Sequence, residues 1–346
     1  MLVDSGALSG ADYGFFVDYL HITFLIGLLI SYNYFRRTHV SVGGSLAVGY
    51  LAAGMFFPLN VLVTVGISII CYLVIHYVIL KVYLPRPRQI FAIGLGTGMV
   101  VSLIWLIVVN KFMGQTFHSL AAVAVVGVIV PGMLSNSFNK QGLSKTLIPL
   151  AWMVPVSALG GLAVTWLIKI LLHTSLAGGM YKPTHKDVLG LFIIAAVSVI
   201  SAIFVQEGPL SKYKLRTGGY VTAGWLVASL GDWRYILLLV LVSVVVWSIA
   251  EIFTSKTPLF GKDRFIVLVA LSLTVTILYE VIVFNITGRP YAGAENIVFC
   301  VLPAIIANDL LQNGPRKVLP GMSISVVVCL LVSGIFWLTT GSPVQI

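Results

Sequence analysis

The chain has 346 residues, of which 59% are hydrophobic and 9% are charged, and its mean hydropathy is +1.04. A soluble domain carries roughly 25% charged residues, so this composition excludes a soluble globular enzyme, a disordered chain and a secreted disulfide scaffold. The net charge is +10, which is typical of a membrane protein whose basic loops face an anionic cytoplasmic leaflet; contact with an acidic substrate is the alternative explanation.

Apolar runs of about the length that crosses a bilayer recur along the whole chain. They predict an all-α integral membrane protein with about twelve transmembrane or half-spanning helices. Elements two and eight are short and glycine-rich, which makes them candidates for half-helices that line protein or water. The elements lie near residues 15–34, 40–57, 60–81, 89–110, 120–138, 146–173, 188–205, 218–230, 234–253, 264–285, 295–311 and 318–338.

A polar segment at residues 174–187 divides these elements into two groups of six. We therefore predict a first membrane repeat at 1–173, a linker at 174–187 and a second membrane repeat at 188–346. No cleavable signal peptide is expected, because no Lys or Arg precedes Arg36. The three cysteines lie inside apolar runs, which argues against a disulfide framework or a metal cluster. We expect neither a metal nor a cofactor.

Most of the positive charges follow the odd-numbered elements. Short loops rich in Lys and Arg stay cytoplasmic, so this alternation predicts twelve crossings of the cytoplasmic membrane with both termini outside. The other six cations are scattered on the opposite side. The fifteen in the odd-numbered loops and their flanks are Arg36, Arg37, Lys81, Arg86, Arg88, Lys140, Lys145, Lys212, Lys214, Arg216, Lys256, Lys262, Arg264, Arg316 and Lys317.

The two halves repeat one another at fixed spacings. The glycine pair Gly43-Gly44 returns 175 residues later as Gly218-Gly219. Pro131, Asn136, Gly142 and Lys145 return 172 residues later as Pro303, Asn308, Gly314 and Lys317. An even number of crossings in each copy makes such repeats parallel, related by an axis along the membrane normal.

The motif around Pro131 has a structural and a functional interpretation. A proline followed by Gly132 inside an apolar run is expected to break or kink the helix. Asn136 and Asn308 either cap such a kink or line a polar opening that contacts a substrate or partner. Glycine suits the end of a helix, so Gln141-Gly142 and Asn313-Gly314 are expected to close these helices.

Four ionisable residues lie within apolar runs, where a charge is costly and suggests function. Asp18 and His21 are one turn apart near the outer end of element one. Lys169 and Glu280 lie toward the outer ends of their elements, where they either pair or extend to the membrane interface. No catalytic motif or nucleotide-binding loop stands out, so we predict no catalytic residue.

The sequence GVIVPGMLSN at 127–136, running on to Lys140-Gln141-Gly142, resembles the CapC/PgsC family of poly-γ-glutamate capsule biosynthesis proteins. The segment Gly49-Tyr50-Leu51-Ala52 belongs to the same resemblance. It covers roughly residues 36–152, and a weaker copy covers roughly 212–332. Since the usual family member is about half this long, the chain resembles a tandem duplicated form. The second copy departs from the first at Trp225, Ala304 and Asn313.

This resemblance implies a membrane subunit of a poly-γ-glutamate synthase and export complex. Its expected partners are a cytoplasmic Mur-ligase-like ATP-dependent amide ligase, an accessory subunit with an extracellular domain, the anionic polymer and the lipid bilayer, with no nucleic acid. The alternatives are a stand-alone secondary transporter of a small anion and, less favoured, a membrane-embedded transferase. The candidate polymer or partner contacts are Arg36, Arg37, Arg88, Pro131, Gly132, Asn136, Gln141, Gly142, Lys145, Pro303, Asn308, Gly314 and Lys317.

Overall fold

A computed structural model describes residues 10–44, 46–82, 84–112, 123–173, 175–183, 188–256, 260–293 and 296–340. The described residues form twelve α-helices and one pair of two-residue strands, which confirms the predicted all-α membrane fold. The chain divides into two compact units, Met1–Gly178 and Gly179–Ile346. The boundary falls within residues 174–187.

The first unit contains six helices. Helix α3 continues through a π-helical turn at Ile75–Ile79 to a last turn at Leu80–Val82, and α2 continues as a 3-10 turn over Gly54–Phe56. The helices are α1 Gly10–Thr38, α2 Ala47–Ala53, α3 Pro58–Val74, α4 Pro87–Phe112, α5 Val123–Gln141 and α6 Leu143–Leu172.

The second unit repeats this order and adds a short parallel strand pair, in which β1 Tyr181–Lys182 lies beside β2 Tyr291–Ala292. A 3-10 turn at Pro209–Tyr213 follows its first helix, and another at Ser229–Gly231 follows its second. The helices are α7 Val188–Gln206, α8 Thr222–Ala228, α9 Trp233–Lys256, α10 Gly261–Thr287, α11 Asn296–Asn313 and α12 Pro315–Thr340.

Seven of the described helices are long and apolar enough to cross a membrane by length and composition. They are α1, α3, α6, α9, α10, α11 and α12. Shorter apolar stretches lie in α2, α4, α7 and α8. The chain is therefore a multi-pass membrane protein.

Element two of the first unit is a half-helix. Helix α2 and its 3-10 turn span ten residues, or about 15 Å, which is half the thickness of a bilayer core. The preceding segment is not helical, and Gly43 and Gly44 have φ values of 67° and 75°. That segment is buried at Val42, Gly43 and Leu46, which satisfies the rule that irregular backbone at membrane depth must lie against protein.

Helix α2 and the non-helical segment that precedes it run back along the first unit. The Ser41 amide donates a hydrogen bond to the Gln141 side chain at the end of α5. Helix α2 then runs antiparallel to α1, with the ring of Phe56 4.9 Å from that of Phe16 near the start of α1. Helix α3 begins there, so residues 39–57 lead from the end of α1 back to the level of its beginning.

The second unit builds its half-helix with the equivalent residues. Gly218 lies beside Ile306, and Gly219 lies beside Ile305. In the first unit, Gly43 and Gly44 lie beside Leu134 and Met133, which precede Ile306 and Ile305 by 172 residues. The sequence repeat is therefore also a repeat of contacts.

The proline motif does not break its helix, so the predicted break was wrong. Helix α5 continues through Pro131, and α11 continues through Pro303. Gly132 packs closely on α4, since an added Cβ would lie 3.0 Å from the Leu95 Cα. The neighbouring helix therefore lies directly against α5 beside the proline, and prolines in transmembrane helices are tolerated where neighbouring helices pack against them.

Both helices do end at the predicted glycines. Gly142 and Gly314 have φ values of 91° and 75°, which residues with a Cβ rarely adopt. The Gly142 amide donates to the Phe138 carbonyl, and the Gly314 amide donates to the Leu310 carbonyl, both at 2.9 Å.

Candidate functional site

The cations of the first unit gather where α1, α3 and α5 end and where α4 and α6 begin; we call this the basic end. Antiparallel packing of α1 and α6 supports the alignment, with Tyr34 beside Trp152 near the basic end and Lys169 over Phe15 at the other. The Arg88 side chain lies outside the described residues. The exposed cations are Arg36, Arg37, Lys81, Arg86, Lys140 and Lys145.

Gln141 of the predicted motif is hydrogen-bonded to the non-helical segment that precedes α2. Its side-chain oxygen accepts the Ser41 backbone amide at 3.0 Å. The contact joins residues 100 apart in the sequence, which explains why sequence analysis missed Ser41. Gln141 therefore ties the end of α5 to the non-helical segment before α2.

The remaining motif residues of the first unit lie deeper. Pro131 and Gly132 are buried in α5, and Asn136 is partly buried one turn nearer the basic end. The Oδ1 atom of Asn136 is buried and has no hydrogen-bond partner among the described residues. In the second unit, the Asn308 oxygen accepts the Gln312 amide at 3.2 Å. The two asparagines therefore differ in their surroundings.

The second unit has a basic end of its own, and the polar contacts there differ from those of the first unit. The Arg216 guanidinium donates to the Gln206 side chain at 2.8 Å, and the Arg216 amide donates to the Lys317 carbonyl at 3.1 Å. Gln206 in turn donates to the Thr217 hydroxyl. Sequence analysis did not indicate this network, because Gln206 and Thr217 lie outside the matched motifs. The exposed cations are Lys212, Lys214, Lys256, Arg316 and Lys317.

The intramembrane charges of the first unit have partners within that unit. The Asp18 carboxylate accepts the backbone amides of Leu176 and Ala177 at 2.6 and 2.8 Å. His21 is buried, with its Nδ1 atom 2.9 Å from the Val17 carbonyl. The ammonium group of Lys169 lies 5.1 Å from the centre of the Phe15 ring.

Glu280 is fully buried in the second unit, away from the basic end. Its carboxylate accepts the Tyr181 hydroxyl at 2.7 Å and the Asn296 side-chain amide at 2.5 Å. The contacts of Glu280 join α10 to β1 and to the start of α11.

A second polar group lies near this cluster. The Arg234 guanidinium donates to both oxygens of Asp232 and to the Arg289 carbonyl, the last at 2.6 Å. It also lies 4.7 Å from the centre of the Tyr291 ring. The Tyr235 hydroxyl accepts the Ala292 amide at 2.6 Å. These contacts fix the start of α9 against the β2 segment.

The Asp232–Arg234 pair predicts an acid-dependent stability. Burial works to raise the pKa of Asp232, but the hydrogen bonds and positive charge of Arg234 outweigh it and hold this pKa below its ordinary value. A depressed folded-state pKa gives stability that is present above the unfolded pKa of about 3.9 and is lost as the pH falls through the folded value. Asp232→Asn is expected to lower stability by about 1 kcal/mol at neutral pH.

Thermal unfolding of the purified protein between pH 3 and 7 measures this effect. The difference in unfolding temperature between wild type and Asp232→Asn should become smaller as the pH falls below about 4. A gap that stays constant down to pH 3 would mean that the ionised carboxylate contributes nothing.

Comparisons with known proteins agree with this architecture of two six-element membrane units. The family model for capsule biosynthesis CapC matches residues 26–147 and again residues 199–319. The chain therefore belongs to the capsule biosynthesis CapC family, and it carries two copies of the family's sequence. No solved structure matches it.

Two curated relatives are similar to about one unit of this chain. The capsule biosynthesis protein CapC of Bacillus anthracis is 30% identical over 128 residues, which are 37% of this chain and 83% of that protein. The PGA biosynthesis protein CapC of Bacillus subtilis (strain 168) is 29% identical over 129 residues, again 37% of this chain and 83% of the relative. Each relative is thus matched over most of its length by about one unit of this chain.

Proposed function

We propose that this protein is the membrane subunit of a poly-γ-glutamate synthase and export complex in the cytoplasmic membrane. Its family and the capsule and PGA biosynthesis roles in the names of its relatives support this proposal. The basic ends face the cytoplasm in both units, which are oriented alike. There they hold an ATP-dependent amide ligase at the membrane and assist the growing polymer to cross.

The exposed cations at both basic ends are the observation that carries this proposal. Six such residues lie at the basic end of the first unit and five at that of the second. Clustered cations raise the local concentration of an anionic partner and speed its encounter. A poly-γ-glutamate chain carries one carboxylate per residue and is therefore such an anionic partner. A ligase with an acidic surface would bind the same cations.

Asn136 is the second group that we assign to polymer contact. Its buried Oδ1 atom has no hydrogen-bond partner among the described residues, and an unsatisfied buried acceptor is costly. An amide N–H of the polymer backbone would satisfy it. The first copy therefore carries the polymer contact, whereas Asn308 of the second copy accepts a hydrogen bond from Gln312.

The same observations favour this function over a stand-alone transporter. That alternative needs Asp18, Glu280 or Lys169 to exchange an ion. Both carboxylates accept hydrogen bonds from their own units, and Lys169 lies over Phe15. We assign formation of the amide bonds, and the use of ATP that drives it, to the ligase.

Charge reversal at a basic end is expected to reduce polymer production. The double variant Arg36→Glu and Arg37→Glu should weaken retention of the ligase in membranes by roughly tenfold or more, since each cation contributes about 1 kcal/mol of attraction to an anionic surface. The measurement is the amount of ligase in the membrane fraction together with the polymer yield. Lys145→Glu and Lys317→Glu test the two units separately.

Lys182→Glu is the matched control, because Lys182 is exposed and lies in β1, away from the basic end. This variant should retain ligase and polymer at the wild-type level. Unchanged ligase retention and polymer yield in the Arg36 and Arg37 double variant would refute docking at the basic end.

A further inference from the structure

An open groove lies between two neighbouring helices of the second unit. It has a volume of about 380 Å³, within the usual range of small-molecule sites. Its apolar walls come from the last turns of α9 and from the first half of α10. The apolar residues that line it are Ile249, Ala250, Phe253, Val267, Leu268 and Leu271.

The groove opens toward the bilayer at its basic end. Phe253 and Val267 remain 57% and 44% exposed, so these walls face the surrounding medium. Both helices are long and apolar enough to cross a membrane, which makes that medium lipid. From Arg264 to Thr274 the groove runs ten residues along α10, or about 15 Å, which is the depth of one leaflet's hydrocarbon.

Arg264 is the polar group that a ligand of this groove would meet. The hydroxyls of Thr254 and Thr274 donate to carbonyls of their own helices, at 2.9 Å to Ala250 and 3.0 Å to Ala270. The Nε atom of Arg264 is buried and has no hydrogen-bond partner among the described residues. A buried N–H without an acceptor is costly, so an anionic oxygen at this position is favoured.

The charge at these helix ends agrees with an anionic ligand. Lys256 ends α9, and Lys262 and Arg264 lie in the first turn of α10. Glu251 and Asp263 are the carboxylates of the same region, so the cations exceed the anions by one. Basic sites between transmembrane helices at the cytoplasmic surface are typical of sites for anionic lipid headgroups.

We propose that this groove binds an anionic phospholipid of the leaflet at the basic end. One acyl chain lies along the apolar walls, and a phosphate oxygen accepts the Nε–H of Arg264. This site lies in the second unit alone and is separate from the proposed polymer contacts. It would make the second unit sensitive to the lipid composition of the membrane.

Native mass spectrometry of the full-length chain tests the proposal. The purified protein is stripped of lipid and titrated with phosphatidylglycerol or phosphatidylcholine. Wild type is expected to bind phosphatidylglycerol about tenfold more tightly, because both lipids carry the phosphate but phosphatidylcholine adds a choline cation, which Arg264 repels. Arg264→Gln should abolish this preference, and Val267→Trp, which fills the open side, should weaken binding of both lipids.

Arg316→Gln is the charge-matched control, since Arg316 is exposed on α12 and does not line the groove. It should keep the wild-type preference. The proposal is overturned if Arg264→Gln retains the preference, or if Val267→Trp leaves lipid binding unchanged. It is also overturned if Val267→Trp instead dissociates a second copy of the chain, which would make the groove a protein interface. If Arg264→Gln fails to fold, the proposal is still tested by Val267→Trp and by the comparison of the two headgroups in wild type.

Discussion

Gly161→Ala is expected to destabilise the first unit by about 1–3 kcal/mol, the usual cost of overpacking a close contact. Gly161 lies where α6 crosses α1, and an added Cβ would lie 2.8 Å from the Thr23 Cα. Because that neighbour is backbone, relief requires the two helices to separate. Small residues at such crossings permit the close packing that associates helices in lipid.

The adjacent glycine provides the control for this prediction. An added Cβ at Gly160 would meet the Ile26 side chain at 3.7 Å, which is an ordinary contact. Gly160→Ala should therefore leave stability unchanged or raise it by up to about 1 kcal/mol, since alanine favours a helix over glycine. Thermal unfolding of the two variants in one detergent measures the difference. Equal unfolding temperatures for both variants would contradict the close crossing of α1 and α6.

Glu280→Ala is expected to lower the stability of the second unit by about 3–5 kcal/mol. The change removes the acceptor of the Tyr181 hydroxyl and of the Asn296 amide in a fully buried site. Each hydrogen bond to such a group contributes about 1.5–3 kcal/mol. It also removes the contact between α10 and the β1 segment, so proteolysis near residue 181 should become faster.

Two substitutions separate the lost hydrogen bonds from the lost volume. Glu280→Gln keeps the shape and one acceptor, so its cost should be smaller than that of Glu280→Ala. Glu251→Ala removes an exposed carboxylate and should change stability by less than about 0.5 kcal/mol. A Glu280→Ala protein that unfolds at the wild-type temperature would show that this carboxylate does not hold α10 to β1.

The sequence predicted the helices well where hydropathy alone determines them. Helix α9 spans Trp233–Lys256, close to the predicted 234–253. The prediction failed in detail at element two, where residues 40–44 and 46 are not helical. Hydropathy measures the preference for lipid or protein surroundings and does not distinguish a helix from extended backbone packed in protein. The glycine pair at 43 and 44 was the local signal of that difference.

The prediction of a break at Pro131 failed for a related reason. Local propensity disfavours a proline inside a helix, but the close contact of Gly132 with Leu95 on α4 is a tertiary effect. The partners of Glu280 were equally hidden, since Tyr181 lies 99 residues away in a segment interpreted as a linker. Fixed spacing between repeats revealed the duplication, whereas contacts between distant residues required the structure.

The orientation of the two basic ends tests the central claim most directly. Ser144→Cys and Arg316→Cys place single thiols at exposed positions 172 residues apart, one at each basic end. The native cysteines Cys71, Cys300 and Cys329 are buried, so they should contribute little background. A membrane-impermeant maleimide should label both new thiols only after the cells are permeabilised, whereas Lys182→Cys should react in intact cells. Labelling of either Ser144→Cys or Arg316→Cys in intact cells would contradict two like-oriented units with cytoplasmic basic ends.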